Sequence, residues 1–385
     1  MKKLLFLLFG LISIESFAQS FIPNTPTLDL KSYILIEPNT NTVIASFNED
    51  APIEPASMTK VMTSYVVADQ IDNDLLSLEE AVLITEDAKQ MSLGTARTYV
   101  EPGKKVSVLD LLKGVIIQSG NDATYALAEY VGGTEEGFVD LMNRYAAEMG
   151  LSNTLFQNST GLPDPNHFTS AKDLATMTSL LISKFPEIYA LHKEKYFTFN
   201  DIKQPNRNRL LWKDNSSDGV KTGWTESAGY CLISSAKRND MRLIAVIAGA
   251  ESDKDRFNDT QRLLEYGFRF YSTQEVIKKN NALKDVDVWG GKKNLVSIGA
   301  ENNIQLTLPR TAFKNITISY DFQNNLRAPI KEGQTLGTLV IKDGEKTLHT
   351  ENLVALSDVE AKGFFGRLWA SLVLWFRGLF GLGDA

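Results

Sequence analysis

Two apolar runs late in the chain limit its fold more than any other feature. Residues 229–236 and 241–249 alternate or run apolar, through Tyr230-Cys231-Leu232-Ile233 and Leu243-Ile244-Ala245-Val246-Ile247. Arg238-Asn239-Asp240 joins them, so they read as an antiparallel hairpin. A second hairpin is written near the start. Ser32-Tyr33-Ile34-Leu35-Ile36 and Val43-Ile44-Ala45-Ser46-Phe47 flank the turn residues Pro38-Asn39-Thr40-Asn41. Between the hairpins the period changes from two to that of a helix.

The intervening helices have legible ends. Ser107-Val108-Leu109-Asp110 is a capping box in its Asp form, opening an apolar helix through Leu111, Leu112, Val115 and Ile116. It stops at Ser119-Gly120-Asn121. A second helix is expected over 122–130, and a third over 134–149 ends at Gly150. Ser170-Ala171-Lys172-Asp173 caps a fourth over 174–182, and an amphipathic helix follows over 253–271. Residues 83–106 are irregular, which fits either an ordered loop near an active site or a plain surface loop. Hairpin, helices, strands and helix in this order predict an α+β domain, an antiparallel sheet flanked by helices.

The 385 residues suffice for about two domains. Past residue 280 alternation returns at Ile304-Gln305-Leu306-Thr307-Leu308 and Ile316-Thr317-Ile318-Ser319-Tyr320, with a hairpin turn at Lys342-Asp343-Gly344-Glu345. We expect a first domain over 19–280 and a small all-β domain over 281–358. The remaining segment, 359–385, carries Phe364, Phe365, Leu368, Trp369, Leu372, Val373, Trp375, Phe376, Leu379 and Phe380 on one broad face, with Arg367, Ser371 and Gly378 opposite and Arg377 at its edge. It is too short in its apolar part to span a bilayer and reads as a helix lying in a membrane surface. At the other end Lys2 and Lys3 precede a short apolar core, and Ser16-Phe17-Ala18 offers small residues for cleavage. Residues 1–18 are therefore expected to be a signal peptide and the protein to be exported.

Several chemistries are disfavoured at once. Net charge is −7, which argues against a nucleic-acid partner. One cysteine, Cys231, allows no internal disulfide, and its apolar strand setting makes it a core residue. The three histidines, His167, His192 and His349, lie far apart in no metal-ligand spacing, so no metal and no cofactor is expected.

What remains is serine chemistry. Ser57-Met58-Thr59-Lys60 precedes a run with apolar residues at 61, 62, 65 and 66, one face of a helix, and Pro55 suits its first turn. Ser57 and Lys60 then lie one turn apart as a nucleophile–base pair, with the helix N-terminus favouring negative charge near Ser57. The other Ser-x-x-Lys, Ser234 to Lys237, falls in a strand, where i and i+3 point to opposite faces.

Two further motifs follow in fixed order, Ser119-Gly120-Asn121 and Lys221-Thr222-Gly223. Each alone reads as a turn or a strand entry. The three together are the set of penicillin-binding proteins and β-lactamases. In chemical terms Ser57 attacks an acyl carbon and Lys60 takes its proton. Lys60 must be neutral to do so, which burial and a second cation, Lys221, would favour. Ser119 is placed to relay a proton to the leaving group, Asn121 offers an amide to a peptide backbone, and Lys221 and Thr222 suit a terminal carboxylate. The strand leaving Gly223 can pair with an extended peptide.

The run Gln204-Pro205-Asn206-Arg207-Asn208-Arg209-Leu210-Leu211-Trp212, with Asp218 to Gly223 and Ala228-Gly229-Tyr230, closely resembles the D-alanyl-D-alanine carboxypeptidases, low-molecular-mass penicillin-binding proteins. Residues 114–123 resemble the flanks of their second motif, and Gly363 to Arg367 with the following helix resembles their membrane anchor. The resemblance implies a β-lactamase/transpeptidase-like domain, a β domain holding it off the membrane, and trimming of peptidoglycan pentapeptides ending in D-Ala-D-Ala at the periplasmic face of the inner membrane. It implies acylation of Ser57 by substrate and by β-lactam antibiotics, with Lys60 as base. The oxyanion hole would come from the backbone N–H groups of Ser57 and Trp224. Arg207 would sit near the carboxylate site. The bulk of Trp224, directly after Gly223, bears on how fast the acyl-enzyme is hydrolysed. His167 reads as local structure.

Other readings share these motifs. A class A β-lactamase would need a glutamate-activated water, and no convincing glutamate motif stands between 121 and 221. A penicillin sensor or cell-wall scaffold would keep Ser57 acylation without turnover.

Overall fold

The computed structural model describes residues 22–322 and 325–379. The expected signal peptide, residues 1–18, and Phe380 of the tail lie outside them, as do the side chains of Arg377, Gly378 and Leu379.

The two hairpins meet in one antiparallel five-stranded sheet. Its order is Thr42–Phe47, Ser32–Glu37, Met241–Ala250, Gly229–Arg238, Ser217–Thr225. The chain closes it by setting Ser32–Glu37 beside Met241–Ala250, with Leu35 opposite Ala245. Both faces are covered, so alternate residues enter different cores. Ile34, Ile233, Ile244 and Val246 pack under the helices. Leu35, Leu232, Leu243 and Ile247 pack against the helix Asp253–Phe270 through Leu263 and Leu264. Burial of each such side chain stabilises by about 1.5–3 kcal/mol.

The helical layer holds Lys60–Asp72, Val108–Lys113, Asn121–Gly132, Glu135–Glu148 and Ala171–Lys184. Ser107 and Ser170 accept from Asp110 N–H and Asp173 N–H as the capping pattern predicts. The serine segment departs from the expected one-faced helix. Ala56–Thr59 is a 3-10 turn, and from Lys60 to Ala68 every residue of the following helix is buried. This helix runs through the middle of the layer, where a polar face has no water to meet.

The second set of strands begins earlier than residue 281. Tyr271–Ile277 follows the 253–270 helix directly and pairs with Ile304–Pro309. A six-stranded sheet completes this unit, in the order Ile316–Phe322, Thr335–Asp343, Lys346–Ala355, Leu295–Ala300, Lys284–Trp289, Leu326–Arg327, around Ile298, Leu339, Ile341 and Leu353. Thr40 of the first hairpin donates to Thr307 across the boundary at 2.7 Å. Beyond it the helix Phe364–Leu379 touches the strands near Gly290 through Arg367 and Ala370, and leaves Phe365, Trp369 and Trp375 exposed. Among the described residues no helix is long and apolar enough to cross a membrane.

Candidate active site

The site lies between the serine turn and the edge strand Ser217–Thr225, the last of its sheet. Gly223 allows the two to touch. A Cβ there would stand 2.9 Å from Pro55 O and 3.2 Å from Ala56 Cβ. The turn is fixed from behind by Gly161, whose positive φ of 79° brings its backbone against Ala56 O and leaves no space for a side chain. Ala56 itself has φ of 46°, a conformation that costs a non-glycine residue about 1 kcal/mol.

Lys60 is the buried centre. Its Nζ is 3.2 Å from Ser57 Oγ, 2.7 Å from Asn121 Oδ1 and 2.6 Å from Thr160 O. A neutral amine has two N–H bonds and one lone pair. The two carbonyl oxygens claim the N–H bonds, which directs the lone pair at the Ser57 hydroxyl. Burial first, and then the Arg207 charge, pull the Lys60 pKa from 10.5 down to about 7 against the opposing charge of Asp122. Burial and Arg207 thus make this lysine a base, and the expected repulsion between it and Lys221 is present in the pair. Lys221, equally buried, is itself held well below the ordinary lysine range, by burial first and then by Lys60, Arg207 and Arg256.

The second motif is set by a strained turn. Gly114–Gln118 winds as a π-helix, and Ser119 ends it in the left-handed region, with φ 63°. Its Oγ accepts from Lys221 Nζ at 2.8 Å. Asn121 opens the next helix with both ends of its amide engaged. Its oxygen takes the Lys60 bond, and its Nδ2 donates to Thr95 Oγ1 at 3.0 Å. One N–H of the amide is thus engaged inside the protein and Asn121 positions Lys60, while the second N–H of the same NH2 group is left for the peptide backbone expected there.

Residues 83–106, left open between two readings, include an ordered loop over the site. Asp122 accepts from the N–H groups of Thr98, Tyr99 and Val100, and Asn121 N–H donates to Ala96 O. The segment also contains the short strand Lys105–Ser107 and helix Glu86–Gln90, which its weak apolar period hid.

Arg207 reaches the site rim, its Nε donating to Gln118 O at 2.7 Å. Thr222 is buried on the edge strand. Trp224 is 56% exposed, tilted against Tyr230 at 5.9 Å, beside the mouth. Ser234 is buried in its strand, with Oγ on Gly219 O, away from this chemistry.

Several supports gave no sequence signal. Thr160 acts through its carbonyl, for which no side chain speaks; only Asn158, whose oxygen gathers the N–H groups of Thr160, Gly161 and Leu162, marks the turn. Arg256 donates to Gly223 O at 3.2 Å from a distant helix. His167 packs as local structure. Its Nε2 meets Thr59 Oγ1 at 2.9 Å, and burial pulls its pKa down to about 4, so it stays neutral.

Comparison with known proteins agrees over both units. The family model described as D-alanyl-D-alanine carboxypeptidase matches residues 19–252, and that of the penicillin-binding protein 5 C-terminal domain matches 271–361. The chain is 44% identical to D-alanyl-D-alanine carboxypeptidase DacC of Escherichia coli over 95% of its own length and 93% of the relative's. It is 38% identical to DacA of the same organism, over 94% and 92%. The crystal structure of penicillin-binding protein 5 from Haemophilus influenzae superposes with a TM-score of 0.81 at 37% identity, covering 88% of this chain and 99% of that one. With a serine beside a buried lysine, a second serine on a second lysine and these matches along nearly its whole length, the chain belongs to the D-alanyl-D-alanine carboxypeptidase family.

Proposed function

We propose that this protein is a serine-type D-Ala-D-Ala carboxypeptidase that removes the terminal D-alanine from peptidoglycan pentapeptides through an acyl-enzyme on Ser57. The observation that carries the reading is the set of three contacts at Lys60 Nζ. Neutral Lys60 takes the Ser57 proton as Oγ attacks the carbonyl carbon of the penultimate D-alanine. The oxyanion forms against the backbone N–H groups of Ser57 and Trp224. Ser119, held by Lys221, relays the Ser57 proton from Lys60 to the nitrogen of the departing D-alanine, which returns Lys60 to its neutral form. Arg207 supplies positive charge, and Lys221 and Thr222 supply N–H and O–H groups, that suit the substrate's terminal carboxylate. Water then enters, Lys60 acts as base again, and the tetrapeptide leaves. The same serine is acylated by β-lactams.

Residues 1–18 act in this proposal as a signal peptide. Residues 359–385 lie on the periplasmic face of the inner membrane with their exposed aromatic face in the lipid boundary.

The test is release of D-alanine from a pentapeptide ending in D-Ala-D-Ala, with Ser57→Ala as the control. Turnover that depends on Ser57 supports the reading. Stoichiometric penicillin labelling of Ser57 with no release overturns it in favour of a sensor or scaffold.

A further inference from the structure

Next to the site stands a surface patch that the reaction does not use. The hairpin Tyr196–Phe199 and Ile202–Pro205 packs Phe197 on Ile116 and Ile117, the residues leading to Ser119. On the hairpin's outer side Tyr196, 48% exposed, meets Trp212, 38% exposed, edge to face at 5.6 Å. Two ammonium groups rest on these rings. Lys203 Nζ lies 4.3 Å from the Tyr196 centroid and Lys195 Nζ 5.9 Å from that of Trp212. Among the described residues neither lysine has a carboxylate partner. Residues 193–213 hold six cationic and two acidic side chains in a chain of net charge −7. The acidic Glu194 is engaged by Lys113.

An exposed aromatic pair flanked by unpaired cations suits a ligand with apolar C–H faces and carboxylates. Pyranose rings present such faces, and the negative face of an aromatic ring attracts them. The patch is joined to the site by the backbone: Asn206 N–H donates to Lys195 O at 2.8 Å, and the next residue, Arg207, holds Gln118 O. We propose that Tyr196, Trp212, Lys195 and Lys203 form a secondary site for the amino-sugar glycan strand from which the substrate peptide hangs. This rests on the carboxypeptidase reading for its ligand. The strand lies across the two rings, and the lysines leave the ring faces for the lactyl carboxylates of neighbouring sugar units that carry no peptide. Continuity with Arg207 favours the glycan over a lipid surface, since the exposed aromatic helix touches the other unit, near Gly290.

The test uses the full chain, with two variants: Tyr196→Ala/Trp212→Ala and Lys195→Glu/Lys203→Glu. Two substrates are compared, the free pentapeptide and the same peptide on its glycan. A third measurement is co-sedimentation with peptide-stripped glycan strands, whose lactyl groups end in carboxylates. We expect KM for the glycan-linked substrate to rise about tenfold in both variants, kcat/KM for free peptide to stay within about twofold, and strand binding to be lost. If the aromatic variant fails to fold, the lysine variant decides. Equal effects on both substrates, or none on either, overturn the proposal. So does loss of binding to anionic lipid vesicles with glycan binding intact. Absence of D-alanine release by the unaltered protein would instead remove the carboxypeptidase reading, while strand sedimentation still reads the patch.

Discussion

Lys221 Nζ stands 2.8 Å from Ser119 Oγ, across 102 residues of chain. The contact joins the second and third motifs on the far side of the cleft from Lys60. It divides the proton work: one lysine faces the nucleophile, the other faces the serine that serves the leaving group. Both are buried, and burial favours the neutral form of each.

Replacing Lys60 by arginine removes the base while keeping the charge. A guanidinium stays protonated near pH 7 even when buried. Acylation by fluorescent penicillin is expected to fall by at least about 100-fold, the scale of a lost general base. Labelling of Lys60→Arg at the unaltered rate contradicts the assignment.

The pH profile follows from the Lys60 pKa of about 7. Acylation rises with pH through that value, because only the neutral amine accepts the Ser57 proton. Asn121→Asp sets a carboxylate where the amide oxygen lies 2.7 Å from Nζ. An opposite charge favours the ammonium form, so the midpoint moves up by about one unit or more. An unmoved midpoint in stopped-flow acylation would show that Lys60 is not the titrating group. Stability carries the same sign. The folded pKa lies below the unfolded value of 10.5, so the cost of burying Lys60 is full below about pH 7 and is relieved as pH rises towards 10.5.

Gly161→Ala should act on the serine turn from outside the site. Its Cβ would fall 1.8 Å from Ala56 O at a φ that side chains avoid. We expect a loss of about 3 kcal/mol or more in urea unfolding, and slower penicillin labelling in whatever folds. A melting curve matching the unaltered protein would mean that the turn can move away.

Deleting 359–385 is expected to leave carboxypeptidase turnover intact and to move the protein from the membrane fraction to the soluble one. Among the described residues of the deleted segment, Val359 belongs to the core of the second unit and pairs with Ile330, the aromatic helix touches the strands near Gly290, and neither enters the core around the site. Continued sedimentation with membranes would place the anchor elsewhere in the chain.

Both hairpins, the capped helices and the three motifs were legible because each is written in local chemistry: alternation, a serine three residues before an aspartate, turn residues between strands. The pairing of Ser32–Glu37 with Met241–Ala250 was not, since the register of strands two hundred residues apart depends on the assembled core. The serine helix was misread as one-faced because its outer side is covered by other helices. At the site, residue types were plain but their partners were not. Asn121 reads from the sequence as a substrate contact, and only the fold adds that its oxygen meets Lys60 and one of its N–H groups meets Thr95. Arg207 as the charge acting on Lys60 was equally hidden.

The lysine at the centre takes its partners from turns and helices around residues 57, 121 and 160, and the relay adds 119 and 221. Any contiguous fragment that contains this set runs at least from Ser57 to Lys221, from the serine turn through the helical layer to the sheet edge, and the site is complete only when these segments have met. Covalent capture of a β-lactam at Ser57 is then a reporter of completed folding. A labelled band on a gel counts native molecules, and its time course after dilution from denaturant measures when the last of these distant segments arrives.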